Sequence, residues 1–286
     1  MPFNFEVCSR NVHCLGHQFQ NVKDHQEYLL LSDLHWDNPH CDRKLLKRHL
    51  DEAVARDAGI IIIGDAFCLM ESRSDGRRSG NVRPEHITNY FDSIVSTAAD
   101  WFEPYKDHLL LVGQGNHEAS VKKHNETDII ERFCQAIRLR GGIAQPGGYS
   151  GFIRFAFSFS KTRSSQVLFY HHGYGGGSRN TRGTGHFAAY QQMIAGQVDI
   201  FAAGHVHQKE CFPVMMAALK SNNRVEQRTV HCVRLGTYKD EYADGHEGFH
   251  VEKGRAPRAL GGYWLNFEAV TRNRLKKINR TFTEAN

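Results

Sequence analysis

Five short runs of mainly apolar residues stand out along the chain, and each one ends at glycine or polar residues. The runs cover 27–32, 60–63, 109–112, 166–170 and 198–203. Short continuous apolar runs are typical of strands that are buried on both faces of a sheet. The pattern therefore predicts several buried strands, each with polar groups at its carboxyl end.

The segments between these runs have the spacing of amphipathic helices. Asp42 is placed to cap a helix that carries Leu46, Leu50, Ala53 and Val54 on one face. Further helices are predicted near 87–95, over about 127–140, and near 186–195. The order of strand, helix and strand predicts βαβ units and an α/β fold.

Residues 153–159 alternate between apolar and other side chains, which indicates an antiparallel strand with one exposed face. More strands are predicted over about 3–7, 229–235 and 262–270, with an irregular segment over 236–260. His13, His17 and His25 are predicted to lie on the surface. No internal repeat or low-complexity linker divides the chain, so residues 1–286 are predicted to form one domain.

The amino-acid composition indicates a globular protein with reduced cysteines. Hydrophobic residues make up 40% of the chain, which is enough for a sizeable core. The seven cysteines are odd in number and lack a CxxC spacing, so we expect reduced thiols and a cytoplasmic location. No apolar run approaches the ~18 residues of a membrane-spanning helix, and the polar N-terminus does not resemble a signal peptide, so we expect a soluble protein.

Metal-binding residue types follow the predicted strands. Parallel strands deliver such residues to one edge of a sheet, where α/β folds bind ligands. The set contains three oxygen donors and four imidazoles without a thiolate, which suits divalent Mn, Fe or Zn. Seven donors suit two ions that share a carboxylate. The residues are Asp33, His35, Asp65, Asn116, His172, His205 and His207.

The motifs DLH (33–35), GD (64–65), GNHE (115–118), HG (172–173) and GHVH (204–207), in this order, resemble those of the calcineurin-like metallophosphoesterase superfamily. The resemblance implies a four-layer α/β/β/α sandwich with two central mixed sheets. It also implies two divalent ions, Mn²⁺ before Fe, Zn or Ni, and hydrolysis of phosphate esters by a hydroxide that bridges them.

The resemblance assigns a role to each motif residue. Asp65 would bridge the two ions, and His117 would contact the phosphate or protonate the leaving oxygen. His172 is chosen over His171 because the family's ligand directly precedes the glycine. One ion would be held by Asp33, His35, Asp65 and His207, and the other by Asp65, Asn116, His172 and His205.

One position departs from the pattern of the superfamily. Three residues after the bridging aspartate, its phosphatases usually carry an Asp that pairs with the catalytic His, and its nucleases carry a His. This chain has Cys68 there. Glu118 or Glu71 is therefore predicted to orient His117.

Arginines in two loops are candidates for contacts with substrate, because guanidinium groups bind phosphate in bidentate fashion. Together with the pI near 8.8 they favour a phosphodiesterase or nuclease, with nucleic acid as the favoured substrate and no membrane partner. The alternatives are a phosphomonoesterase, acting on small molecules or proteins, and a non-catalytic metal-binding scaffold on the same fold. The candidates are Arg73, Arg77 and Arg78, with Arg83 nearby, and Arg179 and Arg182 in a glycine-rich loop.

Overall fold

The computed structural model of the chain describes most of its residues. The described ranges are 3–72, 75–76, 78, 80, 82–159, 162–175, 185–194, 196, 198–219, 221–246, 248–272 and 275–286. Within these ranges the chain forms two mixed sheets with helices outside them.

The strands and helices follow one another in the order that the sequence pattern predicts for an α/β fold. The strands are β1 (Asn4–Ser9), β2 (Val12–Gln18), β3 (His25–Leu31), β4 (Gly59–Ile62), β5 (Leu109–Val112), β6 (Gln145–Pro146), β7 (Ser150–Phe159), β8 (Thr162–His171), β9 (Ile200–Ala203), β10 (Glu210–Leu219), β11 (Val225–Arg234), β12 (Tyr263–Arg272) and β13 (Leu275–Glu284). The helices are α1 (Arg43–Ala55), α2 (Tyr90–Phe102), α3 (Asn116–Asn125), α4 (Ile129–Leu139), α5 (Gly185–Met193) and α6 (Phe249–Glu252).

Each sheet combines parallel and antiparallel strands. The six-stranded sheet has the order β13-β12-β3-β4-β5-β6, in which β3 to β6 are parallel and β12 is antiparallel to both of its neighbours. The seven-stranded sheet has the order β1-β2-β7-β8-β9-β11-β10. There β9 runs parallel to both β8 and β11. The parallel strands of both sheets therefore end at carboxyl edges that can carry a ligand site.

Alternate side chains of the central strands enter two different cores, which defines the layers. Tyr28 and Leu30 of β3 pack between the two sheets, together with Phe155 of β7. Leu29 and Leu31 point the other way, into a core shared with α1, α2 and α4. On the far side, Phe187 and Tyr190 of α5 pack on the seven-stranded sheet. The layers are therefore α/β/β/α, and the predicted fold class is confirmed.

The sequence pattern missed several elements and misplaced some residues. Ile87 precedes α2 and is 67% exposed, and Val54 of α1 is 39% exposed, so neither lies on the buried helix face. Strands β10 and β13 were not predicted. Both lie at the edge of a sheet, and β13 has the few apolar residues that an edge strand needs, whereas β10 carries a mainly apolar run over 211–219 that the sequence interpretation did not recognise as a strand. Within the described ranges, no helix is both long and apolar enough to cross a membrane.

The prediction that His13 lies on the surface is wrong. Its side chain on β2 is fully buried, and neither ring nitrogen has a partner within the described residues. The ring stacks on Phe5 with 5.7 Å between centroids. Burial lowers the pKa of His13 to about 4 from an ordinary value of 6.5, because a charged imidazolium would lose its hydration there.

Acid should therefore weaken the fold through His13. Between pH 7 and pH 5 the unfolded chain binds more protons at this ring than the folded chain does. The free energy of unfolding therefore decreases as the pH is lowered. For His13 alone we expect a loss of about 1–2 kcal/mol over that range. Replacing His13 with Leu should remove this part of the loss in urea unfolding of metal-free protein at the two pH values. The exposed His25, replaced in the same way, serves as the control; an equal loss in wild type and His13→Leu would contradict the assignment.

Candidate metal centre

The carboxyl ends of strands from both sheets meet at one place in the molecule. Asp33 follows β3 and Asp65 follows β4, and their loops are joined because Asp33 N donates to Gly64 O at 3.0 Å. The seven-stranded sheet contributes His172 after β8 and His205 after β9. His205 N donates to Asp33 Oδ2 at 2.9 Å, which ties the two sheets together at this point.

The loops approach so closely that two positions require glycine. A Cβ atom on Gly115 would lie 2.0 Å from Asp65 Oδ1, and one on Gly204 would lie 2.5 Å from Asp33 Oδ2. Several non-glycine residues here also have left-handed backbones, which the fold must hold in place. They are Asp33 (φ 52), His35 (φ 47), Asp65 (φ 47), His205 (φ 71) and His207 (φ 55).

One group of potential metal ligands consists of Asp33, His35 and His207, whose donor atoms all lie within 4.8 Å of one another. His207 Nε2 is 3.2 Å from Asp33 Oδ1, and the Nε2 atoms of His35 and His207 are 3.3 Å apart. Burial, followed by the charge of His117, lowers the pKa of His35 well below its ordinary value. Its ring is therefore neutral at pH 7, the form in which an imidazole binds metal.

A second group consists of Asp65, His172 and His205, and Asn116 completes it. His172 Nε2 is 3.1 Å from Asp65 Oδ2. Asn116 Oδ1 is 3.1 Å from His172 Nε2 and 2.7 Å from His205 Nδ1. The structure thus brings together all seven residues that the sequence indicated as ligands.

The two buried carboxylates, Asp33 and Asp65, favour the binding of a cation at these groups. Burial opposes ionisation of Asp33 and Asp65, yet nearby histidines hold the pKa of Asp33 below its ordinary value and that of Asp65 well below it. Burial also opposes the charging of His172, but the two carboxylates raise the pKa of His172 to about 9. Two buried carboxylates need nearby positive charge, which a divalent ion supplies more fully than one imidazolium. The Asp and His clusters can therefore bind metal ions.

His117 lies beside these groups in the first turn of α3. Its Nε2 is 3.7 Å from Asp65 Oδ2, and its main-chain N donates to Asp65 Oδ1 at 3.0 Å. Its Nδ1 is 2.6 Å from the main-chain oxygen of Cys68. A carbonyl only accepts, so Nδ1 carries the proton and Nε2 faces the clusters. The positive end of the helix dipole adds to the attraction for an anion here.

The prediction that Glu118 or Glu71 orients His117 is wrong, because the Cys68 carbonyl does so. Glu118 is fully buried and accepts from Phe67 N at 2.9 Å and Gly115 N at 2.8 Å, which links the β4 loop to the start of α3. Burial, followed by the charge of Asp65, raises the pKa of Glu118 to about 8. The carboxylate of Glu71 accepts from Gly80 N at 2.8 Å.

Asp37 holds the segment that orients His117, a contact that the sequence interpretation missed. Its carboxylate accepts from Cys68 N at 2.5 Å and from Leu69 N at 3.0 Å, and so fixes the peptide whose carbonyl holds His117. The Cys68 thiol lies in the same buried region, where burial raises the pKa of Cys68 to about 12 and keeps it protonated. Only the position of Asp37, two residues after His35, hinted at this role.

The segment predicted to be irregular forms one side of the centre. Thr237 Oγ1 donates to Asp33 O at 2.8 Å, and the His250 ring is 5.5 Å from that of His207. The buried Glu241 contacts both His250 and Lys239, the latter at 2.7 Å. These side chains come from a stretch without periodicity, so no pattern in that stretch pointed to them.

Two of the six candidate arginines, Arg78 and Arg83, lie among the described residues. Arg83 donates to Asn38 O at 2.9 Å and to Pro39 O at 3.3 Å, so its guanidinium braces the loop after His35. Arg78 is exposed. The remaining four lie outside the described residues: Arg73, Arg77, Arg179 and Arg182.

Comparisons with known proteins give only distant likenesses. No family model and no curated protein matches the chain. Among solved structures, Vacuolar Protein Sorting 29 from Cryptosporidium parvum aligns with a TM-score of 0.36 and 12% identity, over 91% of this chain and 98% of that one. GAP50, the anchor in the inner membrane complex of Plasmodium, aligns with a TM-score of 0.43 and 11% identity, over 91% and 85%. A Vps29 double mutant from Entamoeba histolytica aligns with a TM-score of 0.26 and 13% identity, over 65% and 88%.

Proposed function

We propose that this chain is a metal-dependent phosphoesterase that hydrolyses phosphate esters, with phosphodiesters as its preferred class. One observation carries the proposal: the ligand group of Asp65, His172 and His205 lies against the group of Asp33, His35 and His207, with His172 Nε2 4.0 Å from Asp33 Oδ1, and Asp65 Oδ2 is 3.7 Å from Nε2 of His117. This arrangement combines sites for cations with a group that can exchange a proton, and phosphate transfer needs both.

The donor set suits two divalent ions with Asp65 as their shared ligand. Such ions would neutralise the charge on the phosphate and activate a water molecule for attack. Oxygen and imidazole donors without thiolate favour Mn²⁺, and Fe, Zn and Ni suit the same ligand types. Asp33, His35, Asp65 and His207 would hold one ion, and Asp65, Asn116, His172 and His205 the other.

The residues of the chain account for the departure of the leaving group. One water adds to phosphorus, and the P–O bond to the leaving alcohol breaks with its electron pair on oxygen. That oxygen takes a proton from Nε2 of protonated His117, and the water returns a proton to the ring or to solvent. The Cys68 carbonyl accepts from Nδ1–H at 2.6 Å and so keeps Nε2 on the side of the ion sites, where the phosphate would bind.

The preference for diesters rests on charge. The chain has a net charge of +5, and arginines at 73, 77, 78, 179 and 182 are proposed to contact phosphates next to the one that reacts. Arg83 does not belong to this set, because its guanidinium is used within the fold. Phosphomonoester hydrolysis remains the second candidate. A non-catalytic scaffold is disfavoured because it has no need for a buried donor set beside an oriented histidine.

A panel of substrates tests this proposal. Protein loaded with Mn²⁺ is given an aryl phosphomonoester, an aryl phosphodiester, and single- and double-stranded DNA, with and without chelator. We expect the diester and at least one DNA to be cleaved, with all cleavage lost in chelator. DNA binding should weaken steeply with salt, and Arg77→Ala with Arg78→Ala should reduce that slope by about 0.7–0.9 per lost phosphate contact. Good monoesterase activity without DNA binding at low salt would favour the second candidate.

A further inference from the structure

The hairpin of β10 and β11 extends beyond the body of the seven-stranded sheet. β11 pairs with β10 over 225–234, but it pairs with β9 only over 231–234. Among the described residues, the part formed by 214–219 and 225–230 is therefore a two-stranded ribbon. A two-stranded ribbon is marginally stable in water and gains stability from a third strand. The free edge of β10 is the place where such a strand can be added.

This free edge lacks the features that protect edge strands from pairing. Charged residues, prolines and short length are the usual protection. β13 carries Lys276, Lys277 and Arg280, and the edge strand β6 has only two residues. β10 is ten residues long and has no charged residue over 211–219. Pro213 lacks an N–H group and protects only the first part of the strand.

The ribbon also exposes a row of large apolar side chains. Met215 is 63% exposed, Leu219 is 73% exposed and Val225 is 69% exposed. Met215 and Leu219 lie on the same face of β10, because side chains alternate along a strand. Val225 lies directly opposite Leu219 on β11 and so shares that face. A strand added beside β10 would cover part of this row.

We propose that the added strand is β10 of a second copy of this chain, paired in antiparallel fashion about a two-fold axis at Ala217. In this register Met215 of each copy lies opposite Leu219 of the other copy, so the exposed apolar rows of the two ribbons join. Met216 lies opposite Ala218, which places a large side chain against a small one. The new ladder covers 215–219 and leaves Pro213 outside it.

The sequence of the edge favours a second copy as the occupant. Pairing a strand with itself brings equal charges close together, and like charges on paired strands are destabilising. The run over 211–219 has no charge and therefore meets no repulsion, whereas self-pairing of β13 would crowd its lysines and Arg280 together. A two-fold contact also uses both free edges at once, so it closes as a dimer and does not continue into a fibre.

Sedimentation velocity of the full chain over a range of concentrations tests the dimer without relying on activity. We expect the mass to rise with concentration towards about 65 kDa, twice the 32.6 kDa of one chain. Ala217→Lys places two ammonium groups against each other on the axis and should keep the protein monomeric. Ala217 is exposed in the single chain, so this change should leave the fold intact, which circular dichroism checks. Val7→Lys, at an exposed position on the edge strand β1, is the matched control and should leave the dimer unchanged.

Cysteine cross-linking tests the register. Paired Cα atoms of antiparallel strands are about 4.5–5.5 Å apart, which a disulfide can span. In a chain whose exposed Cys8 is replaced with Ser, Ala217→Cys should give a covalent dimer with oxidised glutathione, and the neighbouring Ala218→Cys should not. The assignment is overturned by a monomer at every concentration, by dimers of Ala217→Lys, or by equal cross-linking of the two cysteine variants.

Discussion

Asp65→Asn should lose nearly all activity of the metal-loaded protein, with kcat lower by at least about 10³-fold. Loss of a single group that stabilises charge in a transition state commonly costs 10²–10³ in kcat. Asp65 contacts His172 at 3.1 Å and His117 at 3.7 Å, and it is the proposed shared ligand, so its charge serves both ion sites. Elemental analysis should show fewer than two ions per chain in the variant.

Asp57→Asn is the matched control for that experiment. Asp57 is exposed and also has a left-handed backbone, with φ 51 against 47 for Asp65, so the same chemical change is made in a similar conformation. This control should keep wild-type metal content and kcat. An Asp65→Asn protein that kept two ions and full activity would show that Asp65 does not bridge.

His117→Ala should lower kcat by about 10²–10⁴-fold and leave the metal content unchanged. This is the usual range for the loss of a general acid or base. No ion depends on this ring in the proposed arrangement, which explains the intact metal content. The loss should be smaller for esters of nitrophenol than for esters of an alcohol, because nitrophenolate leaves without help from a proton.

The dependence on leaving group separates two roles for His117. The loss of kcat in His117→Ala is measured with a nitrophenyl diester and with a dinucleotide. His25→Ala, at an exposed position, serves as the control. A loss of equal size for both substrates would mean that the ring binds phosphate and does not protonate the leaving oxygen.

Much of the fold was predictable because its central strands are buried on both faces. β3, β4 and β5 appear in the sequence as runs of leucine and isoleucine, and the cap of α1 by Asp42 is observed, with Leu45 N donating to its carboxylate at 2.9 Å. The edge strand β13 has no such run, since only part of its surface is covered, whereas β10 has a mainly apolar run over 211–219 that was not recognised as a strand. His13 was misplaced because a histidine in a sequence gives no sign of whether it is buried.

The seven ligand side chains were predictable from the sequence, and the backbone group that orients His117 was not. All seven proposed ligands are polar residues that lie within four residues of the end of a strand, and the structure brings them together. The group that orients His117 is the carbonyl of Cys68, which any residue would provide. The cysteine at that position departs from the motif, although its carbonyl still accepts the hydrogen bond from His117 Nδ1.

We propose that metal ions bound at this centre drive phosphodiester hydrolysis. The most direct test is a titration of chelator-stripped protein with Mn²⁺, in which nitrophenol release from an aryl diester is followed against ions added per chain. We expect no release at the start and a rise that levels off at two ions per chain. Protein that binds two ions and still releases no nitrophenol, or stripped protein that is already fully active, would contradict it.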